Sequence, residues 1–231
     1  MVTVNVDAVI NEQELARFLG AGDNRSFSFS TSSKIERWVN TIETIMRPSV
    51  YYCVKTIESV DQDTVHLEGN LQLKSRNLSK TLKFCVEAVC FIATIGDRID
   101  EVISRCMSTH QYSDAYIVDA MGSVGIENVV EQFHRRMALQ YQARGEDVTL
   151  RFSPGYCDWD LTDQKKIFDL FDPDQVDVDI LGSCFIVPRK SIVGLFGICP
   201  AHNGISHCSF NPCNECSKWD CKSRRRRKDL S

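Results

Sequence analysis

The sequence predicts an α+β fold, a mixed and largely antiparallel β-sheet flanked by helices, with a short cysteine-rich appendage at the carboxyl end. Three observations predict it. Stretches of helical periodicity with capping signals recur along the chain. Short β-rich runs separated by polar turns lie between them without regular βαβ alternation, and five of the eleven cysteines fall in the last 33 residues. With 231 residues and 43% hydrophobic composition, the chain holds enough apolar material for a buried core.

Asn11-Glu12-Gln13-Glu14 has the spacing of a helix start, Leu15, Phe18 and Leu19 share a face, and Gly20 supplies the stop. Residues 21–32, rich in Gly, Ser and Asn, read as a loop. Ser33-Lys34-Ile35-Glu36 repeats the capping pattern for a helix carrying Trp38, Val39, Ile42, Ile45 and Met46, with Pro48 ending it. Val50 to Ile57, Thr64 to Leu67 and Asn70 to Leu73 form an antiparallel meander, and Cys85 to Ile95 is a buried strand. Gly96-Asp97 then provides a turn and a cap for a helix bearing Ile99, Val102, Ile103 and Cys106.

A long helix is expected from about Asp114 to Arg144, its apolar stripe running from Ile117 through Met121, Val124 and Val130 to Phe133, with Gly145 as end signal. Val148, Leu150 and Phe152 alternate as a strand that Pro154-Gly155 breaks into a turn. Leu161-Thr162-Asp163-Gln164 opens a helix through Phe171, and residues 180–187 and 191–198 read as two strands. On this map Cys53, Cys85, Cys90, Cys106 and Cys184 are small core residues, and Cys157 stands undecided beside the turn.

Composition removes several classes of function. The amino terminus lacks the basic and apolar regions of a secretory signal, and no run of about 18 apolar residues marks a membrane span. A cytoplasmic setting is therefore expected, in which thiols stay reduced and clustered cysteines read as metal ligands before disulfides. The net charge of −4 conceals an asymmetry: residues 222–231 carry six Lys/Arg and one Asp, leaving 21 basic and 30 acidic residues, −9, on residues 1–221. Such a body opposes general polyanion binding, and Arg224 to Arg227 read as a solvated basic terminus.

Cofactor loops fare no better. Gly20-Ala21-Gly22 follows a helix instead of a strand and lacks a third glycine, and there is no Walker loop. Asp63-Thr64-Val65-His66 has one residue too many between Asp and His for the cobalt-ligating Asp-x-His-x-x-Gly pattern, so His66 reads as a strand surface residue. Asp119 and Glu127 read as a solvated helix face.

Two features carry chemistry. In Arg151-Phe152-Ser153-Pro154-Gly155-Tyr156 a strand brings Arg151 to its end, where a tight Pro154-Gly155 turn presents backbone and the Tyr156 phenol. That arrangement suits a zwitterionic ligand: Arg grips a carboxylate with two hydrogen bonds, Gly admits the ligand to the backbone, and a Tyr ring faces a cation. A strand and turn with one Arg and one Tyr is also a common structural device. In the tail, Cys208-x4-Cys213-x2-Cys216-x4-Cys221 supplies four thiolates at spacings able to converge on one ion, with Cys199, His202 and His207 in reserve and Trp219 placed to pack over the site. Four sulfurs satisfy tetrahedral zinc or an iron–sulfur cluster, and the spacing does not decide between them; adventitious clustering and redox-active thiols are the alternatives.

The segment Arg151 to Tyr156, with Leu161 to Leu170 and Pro188-Arg189-Lys190-Ser191, resembles the activation domain of cobalamin-dependent methionine synthase, most closely its short free-standing versions. Ala93-Thr94-Ile95-Gly96 and Asp119-Ala120-Met121-Gly122-Ser123 extend the resemblance over roughly residues 80–198. It implies a division into residues 1–79, a helical and β-meander part, residues 80–198, a ligand-binding core, and residues 199–231, the cysteine-rich tail.

The resemblance further implies binding of S-adenosylmethionine, with Arg151 on the carboxylate, Pro154 shaping the turn, and Gly155 and Tyr156 lining the sulfonium side. The implied role is reductive reactivation of cobalamin carried by a partner, a split methionine synthase or another corrinoid protein, with a flavodoxin-like or other electron donor. The chain has no room for the homocysteine, folate and cobalamin modules, so it would act as an accessory subunit with no catalytic residue of its own. The tyrosine pair of the full-length enzyme's final hairpin has no match after Ile198. Two alternatives belong to other classes: a zinc-knuckle protein contacting nucleic acid, disfavoured by the acidic body and the missing knuckle histidine, and a non-catalytic docking subunit that keeps only the fold.

Overall fold

A computed structural model describes residues 1–20, 27–200 and 210–216. The strands are β1 (Val2–Val4), β2 (Ser49–Val60), β3 (Thr64–Leu67), β4 (Leu71–Lys74), β5 (Glu87–Thr94), β6 (Glu146–Val148), β7 (Asp179–Ile180), β8 (Ile186–Val187) and β9 (Ser191–Pro200). The helices are α1 (Glu12–Phe18), α2 (Phe29–Ile45), α3 (Arg76–Leu82), α4 (Arg98–Ser108), α5 (Tyr112–Gln142) and α6 (Gln164–Phe168). The main sheet has the order β4-β3-β2-β5-β9-β6 with β1 paired to β2, and β7 and β8 form a separate hairpin.

The expected α+β class is what the chain adopts. Pairing of β2 with β3, β3 with β4, and β6 with β9 is antiparallel. The same sense holds at the centre, because hydrogen bonds from Arg47 N to Ile95 O and from Ile57 N to Val86 O tie the start of β2 to the end of β5 and the reverse. Bonds from Val86 N to Ile198 O and Ile95 N to Lys190 O do the same for β5 and β9. Burial on both faces makes β5 a continuous apolar run, from Ala88 to Thr94 without an exposed side chain.

The chain divides into two compact units: one comprises residues 1–51, 92–133 and 171–192, the other residues 52–91, 134–170 and 193–231. In the first, Leu15, Ile42, Met46, Ile95, Ile99 and Met121 are buried. Asp114 is buried there too, and its carboxylate accepts from Lys34 Nζ (2.8 Å), from Trp38 Nε1 (2.7 Å) and from Arg37, so burial of the charge is repaid by partners. Asp119, expected to be solvated, keeps 41% of its side chain exposed and also takes a 2.9 Å ion pair from the buried Lys190 ammonium, which donates to Ser123 Oγ as well. A buried lysine needs an anion, and the neighbouring Pro188-Arg189-Lys190 turn brings it there.

Several sequence-based boundaries shift, each for a local reason. Helix α2 starts at Phe29, earlier than the Ser33 expected, because Ser28 caps it by accepting from Thr31 N (3.2 Å); the Ser/Thr-rich first turn hides the start. Asp97 precedes α4 but makes no side-chain capping bond. The strand expected through Phe152 ends at Val148: Thr149 N still donates to Gly197 O (2.9 Å), but Gly197 N donates to Thr149 Oγ1 (2.8 Å), a side chain replacing the backbone acceptor, and a further isolated bridge joins Phe152 to Leu195. The helix expected from Leu161 through Phe171 is a 3₁₀ turn at Leu161–Asp163 followed by the short α6.

Residues 180–187 form no single strand. They make a tight hairpin closed by Leu181 N to Phe185 O (2.8 Å), with Cys184 at φ 62°. Cys184 is thus a half-buried turn residue and Cys53 is half-buried, while Cys85, Cys90 and Cys106 are buried as expected. The helix α3 and the strand β1 were not foreseen; Arg76–Leu82 is too short for a periodicity argument, and only Ser75, whose hydroxyl accepts from Leu78 N (3.0 Å), signals it. Among the described residues no helix is long and apolar enough to cross a membrane.

Candidate functional site

All four predicted ligand residues lie on one turn of the second unit. Phe152 is pinned to β9 by both backbone bonds of a narrow pair, Phe152 N to Leu195 O (2.8 Å) and Leu195 N to Phe152 O (2.9 Å). Its ring is buried and stacks on Trp159 with centroids 5.6 Å apart. Because extended residues alternate faces, Arg151 and Ser153 point opposite to Phe152, and both are half-buried. Gly194 of β9 is what lets this segment come so close: a Cβ there would stand 2.7 Å from Ser153 Oγ and 2.8 Å from Phe152 O.

The turn then folds back on itself. Tyr156 N donates to Ser153 O (3.2 Å), Gly155 N to Trp159 O (2.8 Å), and Trp159 N to Tyr156 O (3.0 Å). Gly155 has φ +88°, a conformation that favours glycine, and it is exposed. Pro154 is buried beneath it, and Tyr156 extends outward with 46% of its surface exposed. Trp159, 2% exposed, donates its indole N–H to Asp163 (2.9 Å) and anchors the far side. The outcome is a rigid loop presenting a half-buried guanidinium, an open glycine and an accessible phenol.

Asp158, which sequence reasoning missed, latches this loop to the start of α3. Its carboxylate accepts from Ser75 Oγ (2.7 Å), Arg76 N (2.7 Å), Asn77 Nδ2 (2.9 Å) and Asn77 N (3.3 Å). Burial works against the charge, but the bonds from Asn77, Ser75 and the two backbone amides outweigh it and hold the carboxyl below the ordinary aspartate range. A polar Ser75-Arg76-Asn77 run before Leu78 was the available signal for a helix start seeking an acceptor.

Residues 210–216 lie against the same helix. Lys80 of α3 pairs with Glu215 (2.6 Å) and stands over the Phe210 ring, 5.7 Å from its centroid. Asn211 and Pro212 are buried, and Asn211 accepts from Cys213 N (3.0 Å) to cap a 3₁₀ turn at Pro212–Asn214. The consequence is that Cys157, an exposed residue, stands near the tail, where the Cys216 and Cys213 thiols act on its own. Burial, followed by the neighbouring Cys216 and Cys213 thiols and Asp158, pushes the Cys157 thiol up to about 12.

Of the predicted metal ligands, Cys213 and Cys216 are half-buried neighbours, and Cys208 and Cys221 lie outside the described residues, as do His202, His207, Trp219 and the basic run Arg224 to Arg227. Cys199 is buried in β9 with its sulfur 2.9 Å from that of Cys85. Among the described residues no three His, Cys, Asp or Glu side chains stand in a grouping ready to hold a metal ion. His66 sits on β3 and contacts Asp61 at 3.0 Å, as a surface strand residue does. Within the first unit a groove of about 370 Å³ between α2 and α4 is lined by Trp38, Thr41, Arg98 and Arg105, and includes none of the turn residues.

By structure the chain shares the fold of the MetH reactivation domain bound to AdoHcy, with a TM-score of 0.60 over 89% of this chain and 81% of that one, at 12% identity. No family model matches the sequence, and no curated protein does. At that identity it is the arrangement of strands and helices that is common to both.

Proposed function

We propose that the chain is an S-adenosylmethionine-binding module that serves the reductive reactivation of cobalamin on a separate corrinoid protein, methionine synthase or another methyltransferase. The observation that carries this reading is the Arg151 to Tyr156 loop, rigidly presented on a fold shared with a reactivation domain crystallised with AdoHcy. The residues fit the ligand. Arg151 supplies a fork for the carboxylate, Gly155 leaves backbone open to approach, Pro154 fixes the turn, and the exposed Tyr156 ring offers its face to a sulfonium.

When bound, the ligand would supply a methyl group to the reduced cobalt of the partner, an electron donor of the flavodoxin type having reduced it. This chain's part is to bind, orient and present. The cysteines Cys208, Cys213, Cys216 and Cys221 complete the proposal as a metal set, zinc to fold the tail or an iron–sulfur cluster to pass the electron.

Isothermal calorimetry of the full chain with S-adenosylmethionine and with S-adenosylhomocysteine tests the reading. Arg151→Ala removes a charged hydrogen-bond partner worth about 1.5–3 kcal/mol, so affinity should fall about ten- to a hundred-fold. No measurable binding of either ligand, or unchanged affinity in the variant, overturns the site.

A further inference from the structure

We propose that the groove between α2 and α4 is a docking site for an acidic amphipathic helix of a partner protein, held at its two ends by Arg98 and Arg105. The inference goes beyond the proposed function and does not rest on it, since the groove lies within the first unit and the ligand loop within the second. Trp38, Thr41 and Ile45 follow one face of α2, and Arg98, Val102 and Arg105 one face of α4, so the groove runs along both helices for about two turns. The two helices are antiparallel: Arg47 N donates to Ile95 O just before α4 (2.8 Å), and Trp38 Nε1 donates to Asp114 beyond its other end (2.7 Å). Ile45 therefore lies toward Arg98 and Trp38 toward Arg105.

Floor and rim say what fits. The floor is apolar and open: of the 17 residues of α2 only Ile42 is fully buried, and Trp38, Ile45 and Val102 are each half-buried. The Trp38 ring is held in place by Asp114 on its indole N–H and by the Arg37 guanidinium, 5.3 Å from its centroid. The rim is cationic. Arg37 pairs with Asp114, but among the described residues neither the Arg98 nor the Arg105 guanidinium has an ion-pair or hydrogen-bond partner. Arg98 is also the first residue of α4, where the helix dipole disfavours a cation, so the helix itself gives no reason for it.

The chemistry of the occupant follows from the spacing. Arg98 and Arg105 are two turns apart on α4, about 10.5 Å along its axis. Two carboxylates the same distance apart on a third helix can face both, and apolar residues between them on that face meet Trp38, Ile45 and Val102. Each guanidinium can take its carboxylate through two parallel hydrogen bonds. Glu101, which shares the groove, repels a carboxylate at the middle and so selects an apolar centre.

Fluorescence anisotropy of a labelled synthetic helical peptide, with two glutamates two turns apart and two leucines between them, titrated with the full chain, reads the site. Saturable binding with a Kd below about 1 mM is expected, weakening as salt is added. Arg98→Glu combined with Arg105→Glu should weaken it at least about ten-fold, whereas Arg135→Glu with Arg136→Glu, the same change of charge on exposed residues of α5, should leave it unaltered. The same peptide with glutamine for both glutamates should bind the unaltered chain at least about ten-fold more weakly. No saturable binding, or equal loss in the two double variants, overturns the proposal. So does an extended aliphatic dicarboxylate that binds with the same arginine dependence while the peptide does not, because the groove would then take a small dianion. Calorimetry with S-adenosylmethionine on the same samples separates the two claims: peptide binding without ligand binding removes the proposed function and leaves this site, and the reverse removes this site alone.

Discussion

Replacing Asp158 with Ala should release the ligand loop from α3, and the size of the effect follows from what the carboxylate holds. It accepts four bonds, two of them at 2.7 Å, and two of its donors are backbone amides at the start of α3 that have no helical acceptor. Loss of a helix-capping acceptor costs roughly 0.5–2 kcal/mol. The side-chain bonds from Ser75 and Asn77 add to this, but Asp158 is exposed and water competes, so their share is discounted. A total near 2 kcal/mol is expected for Ala and about 1 kcal/mol for Asn, which keeps one acceptor oxygen. For a chain of this length 2 kcal/mol is about 4–8 °C in melting temperature. Urea denaturation with an unchanged slope and a lowered midpoint is the assay, paired with S-adenosylmethionine calorimetry. The reasoning fails if Asp158→Ala changes stability by less than about 0.5 kcal/mol, because the four bonds would then be no better than those to water.

Two further substitutions follow from the same kind of accounting. Asp114 is held ionised in the first unit: burial disfavours its charge, but bonds from Lys34 and Trp38 and the charges of Lys34 and Arg37 prevail and lower its pKa. Its contribution is therefore fully present above the unfolded aspartate value near pH 4 and is lost as pH falls through the lower folded value; Asp114→Asn should cost about 2 kcal/mol at neutral pH and flatten the acid limb of a stability-against-pH curve. Gly194→Ala places a methyl 2.7 Å from Ser153 Oγ and 2.8 Å from Phe152 O, so it should destabilise by roughly 1–3 kcal/mol and weaken S-adenosylmethionine binding together, measured by thermal melting and calorimetry; a fully stable variant with unaltered binding would show that β9 and the loop do not depend on that close approach.

Most of the fold is legible in the sequence where burial imposes a period. The stripe of α5 is legible because Ile117, Met121, Val124, Val130 and Phe133 are all buried, and β5 because an uninterrupted apolar run of that length fits a strand covered on both faces. The loop from Arg151 to Tyr156 is legible because Pro154 and Gly155 have local conformational meaning. What escapes is decided by partners distant in sequence. The regular ladder ends at Thr149 because its hydroxyl takes Gly197 N, and Asp119 gains an ion-pair partner because Lys190 arrives from 71 residues away. Neither bond has a signature in the residues around it.

The helix α3 shows what such an omission conceals. Read from the sequence, the Arg151 to Tyr156 loop and the tail cysteines are two separate motifs, one implied by resemblance and one by spacing. Seven residues with no amphipathic period connect them: the helix start takes Asp158 from the loop, and Lys80 takes Glu215 and Phe210 from the tail. An isolated helix of that length would not persist in water, so α3 depends on the contacts it organises, including its buried Leu78 and Leu82. Loop, helix and tail are therefore expected to lose order together, so a metal held by the proposed tail cysteines would act on the loop as well. Zinc added to the reduced chain should raise the amide-exchange protection of residues 151–159 and of α3 together. Protection confined to residues 210–216 would show that the two motifs are independent after all.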